Sequence, residues 1–543
     1  MKDFSFKDRW QSIRKMKDKE FDLLIIGGGI NGAGIARDAA SRGMSVALIE
    51  ARDFASGTSS RSSKLIHGGI RYLENYEFHL VFEALSERAK LFEIAPHLVH
   101  PLRFLIPIFN DSRVGMGLMG LGMWLYDALA LFETPQPHER LSASEVLNRI
   151  PIIRSDRLTG AYEYSDAYMD DDRLVIETLR SANHMGATIA NYVQASGVGT
   201  LTGGRPSAIT AKDTESGESF QIRAQHIVST VGPWTDELGG SLFKDWKKVL
   251  RPTKGIHIVL DRQKFPISRG VVMGAESRIV FVIPRHEMLI IGTTDTDFNS
   301  SPLDVVATSD EVKYLLDVFH SYFPGARVTP NDILSSYAGV RPLVNDGAST
   351  EGKTSREHSI WSDEHNLTYV AGGKYTTYRL IAEQAVEHVL KYFSFEDQVR
   401  FARSKSTEAL NPSVLPEHVY RSEIFAPEVM NQSALSMEAA QLLLQRHGGE
   451  AFELVRKFDP KFSYWQLEAA HAIMSAMCFH LEDFLMRRTP LFLSDPSHGL
   501  NVLDEVALVF QNFLGWSPAE TENQKKRVHL RIEREMKWKS AHD

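Results

Sequence analysis

Cysteine is nearly missing from this chain: Cys478 is the only one among 543 residues. That excludes an internal disulfide and any site built from several thiolates, a structural zinc or an iron–sulfur cluster included. A reducing compartment is expected. Long apolar runs are missing too, since a bilayer-crossing helix needs about 20 apolar residues and the most apolar stretch, Gly115 to Tyr126, is closed by Arg113 and Asp127. Residues 1–20 mix charged and aromatic side chains without the apolar centre of a secretory signal, so this end is expected to be retained in the cytoplasm. There is no surplus of positive charge. With 61 basic residues against 69 acidic and a net charge of -8, a nucleic-acid partner is not expected. No internal repeat, no low-complexity tract and no D-x-D-x-D-G calcium loop is evident, and no metal site is expected. The acidic run Asp170-Asp171-Asp172 precedes a helical pattern and reads as its N-cap and dipole partner.

What is there suits a large folded enzyme. Hydrophobic residues make up 43% and charged residues 24%, near globular averages. A chain of 543 residues exceeds one core and implies several domain-sized units. Phe21 to Ala51 reads as strand, glycine turn, helix and second strand. DRLVIETLRSANHMGATIA, AQHIVSTVGPWTDEL and NLTYVAGGKYTTYRLIAEQAVEHVL suggest further strand and helix pairings of a nucleotide-binding domain. GIHIVL, RIVFVIP and MLIIGTTD have the character of antiparallel strands, and from about Asn411 the pattern turns helical with proline punctuation.

The strongest chemical signal is Gly27, Gly29 and Gly32, a G-x-G-x-x-G between an apolar strand and a helix. The first glycine permits the turn, the second lets a pyrophosphate approach the backbone, and the third lets helix and strand pack closely. Free N–H groups at the helix start then face the phosphates. Glu50, at the end of the second strand, can accept hydrogen bonds from ribose hydroxyls. The hydroxyl-rich loop with Thr58, Ser59, Ser60 and Ser62, and the distant pair Gly372-Gly373, favour the longer dinucleotide FAD. No second G-x-G-x-x-G is evident for a nicotinamide dinucleotide.

The segments SGTSSRSSKLIHGGIRYLENYEF, YEYSDAYMDDDRLV, STVGPWTDE, KGIHIVL, FVIPRHEMLIIGTTDTDF, SYAGVRPL, AGGKYTTYRLIAEQA and EDFLMRRTPL resemble, in order and content, the FAD-dependent respiratory glycerol-3-phosphate dehydrogenases. The resemblance implies an α/β fold. Its parts would be a glutathione-reductase-type FAD-binding Rossmann domain, an inserted mixed α/β substrate domain and a C-terminal helical domain. The expected division is an N-terminal extension at 1–20, the FAD-binding domain at 21–95, 155–245 and 345–395, the substrate domain at 96–154 and 246–344, a linker at 396–410 and the helical domain at 411–543. The implied activity is oxidation of sn-glycerol 3-phosphate to dihydroxyacetone phosphate by hydride transfer to FAD. Electrons would pass to a membrane quinone, with the protein held peripherally on the inner face of the cell membrane, alone or as a homodimer. The alternatives are a glycerol-3-phosphate oxidase that uses dioxygen and a non-enzymatic flavin-binding module.

The matched segments add Lys64, His67, Gly69, Gly232, Trp234, Thr376 and Thr377 to the expected cofactor contacts. Oxidising a secondary alcohol also needs a proton acceptor and a cationic clamp on the phosphate. Arg341 and Arg356 are expected on the phosphate, and Arg71 with Tyr72 near the reacting end. Lys374 is expected at the flavin's developing negative charge as well as near substrate. His257 alternates with Ile256 and Ile258, which turns it away from the isoleucine face of a strand, and it is the preferred base. Two segments could meet lipid: Gly115 to Tyr126, and the basic tail Lys525 to Lys539, where Val528, Ile532 and Met536 share a helical face.

Overall fold

A computed structural model of the protein describes residues 3–199, 201–202, 205–275, 278–345, 357–365 and 367–541. Arg356 lies outside them. The strand Glu20–Ile26 is apolar along nearly its whole length because it is covered on both faces, as the inner strands of parallel sheets are. It pairs in parallel with Val46–Ile49 on one side and Ser219–Ser229 on the other. Thr188–Ala190 and Leu367–Gly372 extend the parallel run outward, and His358–Ser362 adds an antiparallel edge. Against this sheet lies the helix Ile30–Ser41, whose small residues admit close neighbours: a Cβ on Gly34 would come 3.0 Å from that of Ala382 in the helix Tyr378–Leu390.

A second, ten-stranded sheet is mostly antiparallel and forms the other half of the α/β body. At its centre Leu250–Asp261 pairs with Ile333–Val344 and with Met288–Gly292. Two details depart from the expected division. The strand Leu158–Met169 was expected in the nucleotide domain, but it pairs residue by residue with Val99–Phe109 in the second sheet, and Leu65–Ile66 joins it there. Strand partners are set by tertiary pairing, which the linear pattern does not carry. The described part of the N-terminal extension, residues 3–20, packs onto the body. The helix Phe6–Asp18 buries Arg9 completely, with its Nε 2.8 Å from the Asn191 carbonyl and its guanidinium paired with Asp213.

The C-terminal region is helical, with its own cores. The stretch 396–410 leads into it but is not a free linker: Ser404 donates to Asp38, and Arg37 donates to the Ser406 carbonyl. Asp170 does stand at the N-cap of Asp171–His184, yet its side chain makes no capping bond. Burial would raise its carboxyl, but Arg285 and His286 more than offset that and hold it well below the usual carboxylate range. Among the described residues no helix is long and apolar enough to cross a membrane. The helix Met116–Leu129 instead lies on the surface, with Leu118, Leu121 and Trp124 each more than 60% exposed.

Candidate active site

A cavity of about 970 Å³ runs between the two sheets, lined by Gly27, Gly29, Ile30 and Glu50 toward one end and by His257, Arg341, Tyr72 and Lys374 toward the other. Its volume suits a large ligand. Gly27 has φ +113°, a conformation that favours glycine, and a Cβ there would stand 2.8 Å from the Thr230 carbonyl oxygen. Gly32 faces the strand: its added Cβ would lie 1.9 Å from the Gly27 oxygen, so its role is close packing. Gly29 differs from both. An added Cβ would meet only the Ser59 hydroxyl, at 3.1 Å, so the space before it is kept open toward the cavity. Ser59 also accepts the Ile30 N–H at 3.0 Å at the start of the helix. Glu50 accepts the N–H groups of Gly28 at 2.7 Å and Arg52 at 2.9 Å; burial pushes its carboxyl up against those two bonds.

At the opposite end two glycines make room for the polar side chains. Gly292 is registered with His257 across the sheet, and a Cβ on it would come 2.2 Å from the imidazole. Gly255 leaves the space that Arg341 crosses, since a Cβ there would be 2.4 Å from a guanidinium nitrogen. His257 stacks on Tyr337 at 4.7 Å and its Nε2 lies 2.9 Å from the Ser63 hydroxyl. Burial, then the nearby Arg341 and Lys64 cations, push its pKa well below the usual value and keep the ring neutral. Arg341 donates to Asp295 at 2.9 Å, to the Thr293 hydroxyl at 2.9 Å and to the Thr294 carbonyl at 3.2 Å. The Lys374 ammonium sits 3.6 Å over the Tyr72 ring.

Residues 22–383 match the family described as FAD dependent oxidoreductase, two-thirds of the chain. The chain belongs to this FAD-dependent family. Residues 418–521 match the C-terminal domain of alpha-glycerophosphate oxidase. The aerobic glycerol-3-phosphate dehydrogenase of Staphylococcus saprophyticus is 32% identical over 538 residues, covering 97% of this chain and 96% of that one. Among solved structures, the glycerol-3-phosphate dehydrogenase from Bacillus halodurans complexed with FAD is similar over 98% of both chains, with a TM-score of 0.79 and 26% identity. The L-alpha-glycerophosphate oxidase from Mycoplasma pneumoniae, with FAD bound, shares the fold over 69% of this chain and 95% of its own, at a TM-score of 0.54 and 19% identity.

The residues present fit FAD. Gly29 keeps the approach to the backbone open, Glu50 stands fixed at one end, and a neutral imidazole and a cation meet at the other. Of the residues expected to bind the cofactor, Gly27, Gly29, Glu50, Thr58, Ser59, Ser62, His67, Gly232, Trp234, Gly372, Gly373, Lys374 and Thr376 line the cavity. The others do not. Lys64 is almost completely buried in an ion pair with Asp171, Nζ to Oδ1 2.5 Å, and serves the packing of the loop. Ser60 lies in a 3-10 turn whose spacing turns Ser59 inward in its place. Gly69 is a left-handed cap at φ +74°, and Thr377 bonds back to the Lys374 carbonyl. Arg71 is likewise off the lining: it stands in the 3-10 turn Ile70–Asn75, whose pitch aims Tyr72 at the cavity and Arg71 elsewhere.

Arg52, His480 and Arg527 are among the lining side chains that the sequence reading did not single out. Arg52, whose guanidinium lies 4.4 Å over Trp234, stands two residues after Glu50 and had a positional signal. His480 and Arg527 had none, because more than 400 residues of chain separate them from the glycine turn that they approach in space.

Proposed function

We propose that the protein oxidises sn-glycerol 3-phosphate to dihydroxyacetone phosphate and delivers the electrons to a membrane quinone from the inner face of the cell membrane. The carrying observation is the convergence at one cavity end of a neutral buried imidazole, His257, with two cations, Arg341 and Lys374, in a chain whose relatives bear that dehydrogenase name over nearly their full length. FAD, when bound, supplies the acceptor for the C2 hydrogen and its two electrons. His257 takes the hydroxyl proton. An imidazole held neutral has its lone pair ready, and the incoming phosphate charge raises its affinity for that proton. Arg341 holds the phosphate, its fork already oriented by Asp295 and Thr293, so little freedom is lost on binding. Lys374, at the start of the Tyr375–Thr377 turn, offsets negative charge that develops at the cofactor.

The surface helix Met116–Leu129 supports the membrane acceptor. Its Leu118, Leu121 and Trp124, with Leu131 and Phe132 just beyond, form an exposed apolar face. The same helix reaches the cavity wall, because the Tyr126 hydroxyl lies 3.1 Å from the Gly68 N–H, next to His67. The test is to reduce the enzyme anaerobically with glycerol 3-phosphate and follow reoxidation by a soluble quinone or by dioxygen. Faster reoxidation by quinone is expected. Rapid reoxidation by dioxygen with hydrogen peroxide released, and none by quinone, replaces the quinone reading with an oxidase.

A further inference from the structure

Past Glu50 the cavity wall is continued by Tyr192 to Ala195 and by Thr214 and Glu215. It is closed by two side chains of the helical domain, His480 and Arg527. This wall adjoins Glu50, the acid placed for the adenosine ribose, since the Val193 N–H donates to the Glu50 carbonyl at 2.8 Å. The side chains that close it are therefore at the adenosine half of the cofactor. Their placement is held from several directions. His480 Nε2 is 3.2 Å from the Glu215 carboxylate, and its Nδ1 is 2.9 Å from the Gln524 amide nitrogen and 3.2 Å from an Arg527 guanidinium nitrogen. Burial would lower the His480 pKa, but the bond to Glu215 and the nearby Asp483 more than offset that and raise it above the usual value. The His480 ring also packs edge-on against Tyr192 at 4.9 Å. Behind it, Arg487 and Arg488 both donate to Asp53, and Tyr192 donates to Asp483 at 2.6 Å. The loop after Glu50 is thus clamped to the helical domain.

Arg527 is half-buried, and its single polar contact among the described residues is that bond to His480. A planar cation facing a cavity, held beside His480 and in no ion pair among the described residues, suits a purine. Adenine offers ring-nitrogen acceptors and a π face, and a guanidinium can donate to the first or stack on the second.

We propose that the helical domain completes the cofactor site, with Arg527 binding the adenosine half of FAD and with His480, Gln524 and Glu215 positioning it. The inference stands on the family's cofactor and is independent of the substrate reading. In the holoenzyme, Arg527→Ala should speed FAD release on dilution about tenfold or more, read as the rise of free-flavin fluorescence. FMN lacks the adenosine half, so rebinding of FMN to the released protein should be the same in variant and wild type, while FAD rebinds more weakly. If Arg527→Ala yields too little folded protein, Arg527→Gln, which keeps length and polarity without the charge, carries the same comparison. Unchanged FAD release, or equal losses for FAD and FMN, overturns the proposal.

Discussion

Arg341 is both a candidate ligand and a structural member, and its partners separate the two roles. Arg341→Ala removes one or two charge-assisted bonds to the substrate phosphate, each contributing about 1.5–3 kcal/mol, so KM for glycerol 3-phosphate should rise by about tenfold to a hundredfold or more. FAD content should not change. Arg341→Lys keeps the charge but loses the fork that reaches Asp295 and Thr293, and should recover only part of the loss. Steady-state kinetics alongside flavin content check this; an unchanged KM removes Arg341 from the site. The glycines give a second contrast. Gly29→Val should fold and emerge colourless, since only the Ser59 hydroxyl stands near its Cβ and the obstructed partner is the cofactor. Gly32→Ala should lose stability at the upper end of the roughly 1–3 kcal/mol of an overpacked core, its Cβ being driven into the Gly27 carbonyl. Absorbance and thermal unfolding distinguish these, and a yellow, fully loaded Gly29→Val contradicts the assignment. The glycine turn and the position of Glu50 beside it could be placed from sequence because their geometry is local, one turn between one strand and one helix. Lys64, Ser60 and Arg71 lie off the cavity lining, because a loop segment identifies a neighbourhood and not which way each side chain turns.

Among the elements, the surface helix Met116–Leu129 and the basic tail were both candidates for lipid contact in sequence, the tail being read more simply as packed on the C-terminal domain. Burial separates them. In the tail helix Pro518–Glu535, Val528 is 2% exposed and packs in the C-terminal core with Ile532 beside it, which leaves no apolar face for a membrane. The other helix leaves its apolar face uncovered. Leu121→Asp with Trp124→Asp should therefore abolish flotation with liposomes and spare activity toward a short-chain quinone. Wild-type binding should resist high salt, because apolar burial is not screened as basic attachment is. Flotation unaltered by the double replacement excludes this helix. The contact of the helical domain with the Asp53 loop makes a separate prediction. Burial raises the Asp53 carboxyl, but Arg488 and Arg487 more than offset that and hold it at about 2, below the usual 3.8. The folded pKa is the lower one, so this stabilisation is fully present above about pH 4 and is lost as pH falls through about 2. Asp53→Asn leaves two buried guanidinium groups short of their anion and should cost about 3–5 kcal/mol near neutral pH. It should also flatten the decline of stability between pH 4 and 2. Denaturant unfolding across that range measures both, and an unaltered profile sinks the clamp.

For the whole molecule, the α/β class and the helical C-terminal region could be read from periodicity, and the cofactor from a motif and a resemblance. The pairing of Leu158–Met169 with the second sheet could not, nor the docking of Phe6–Asp18 through a buried arginine, nor the arrival of His480 and Arg527 beside the nucleotide cavity. Each depends on contacts between residues far apart in the chain, where local propensity has no bearing. These same long-range contacts join the domains around one cavity whose reacting end is assembled from His257, Arg341, Tyr72 and Lys374. The central claim, that this end oxidises glycerol 3-phosphate with FAD, is tested most directly by anaerobic mixing of the purified holoenzyme with that compound while the visible flavin band is recorded. Complete bleaching, with one dihydroxyacetone phosphate formed per flavin and no bleaching by glycerol, is the predicted result. A band that persists with glycerol 3-phosphate but is lost on chemical reduction would contradict it.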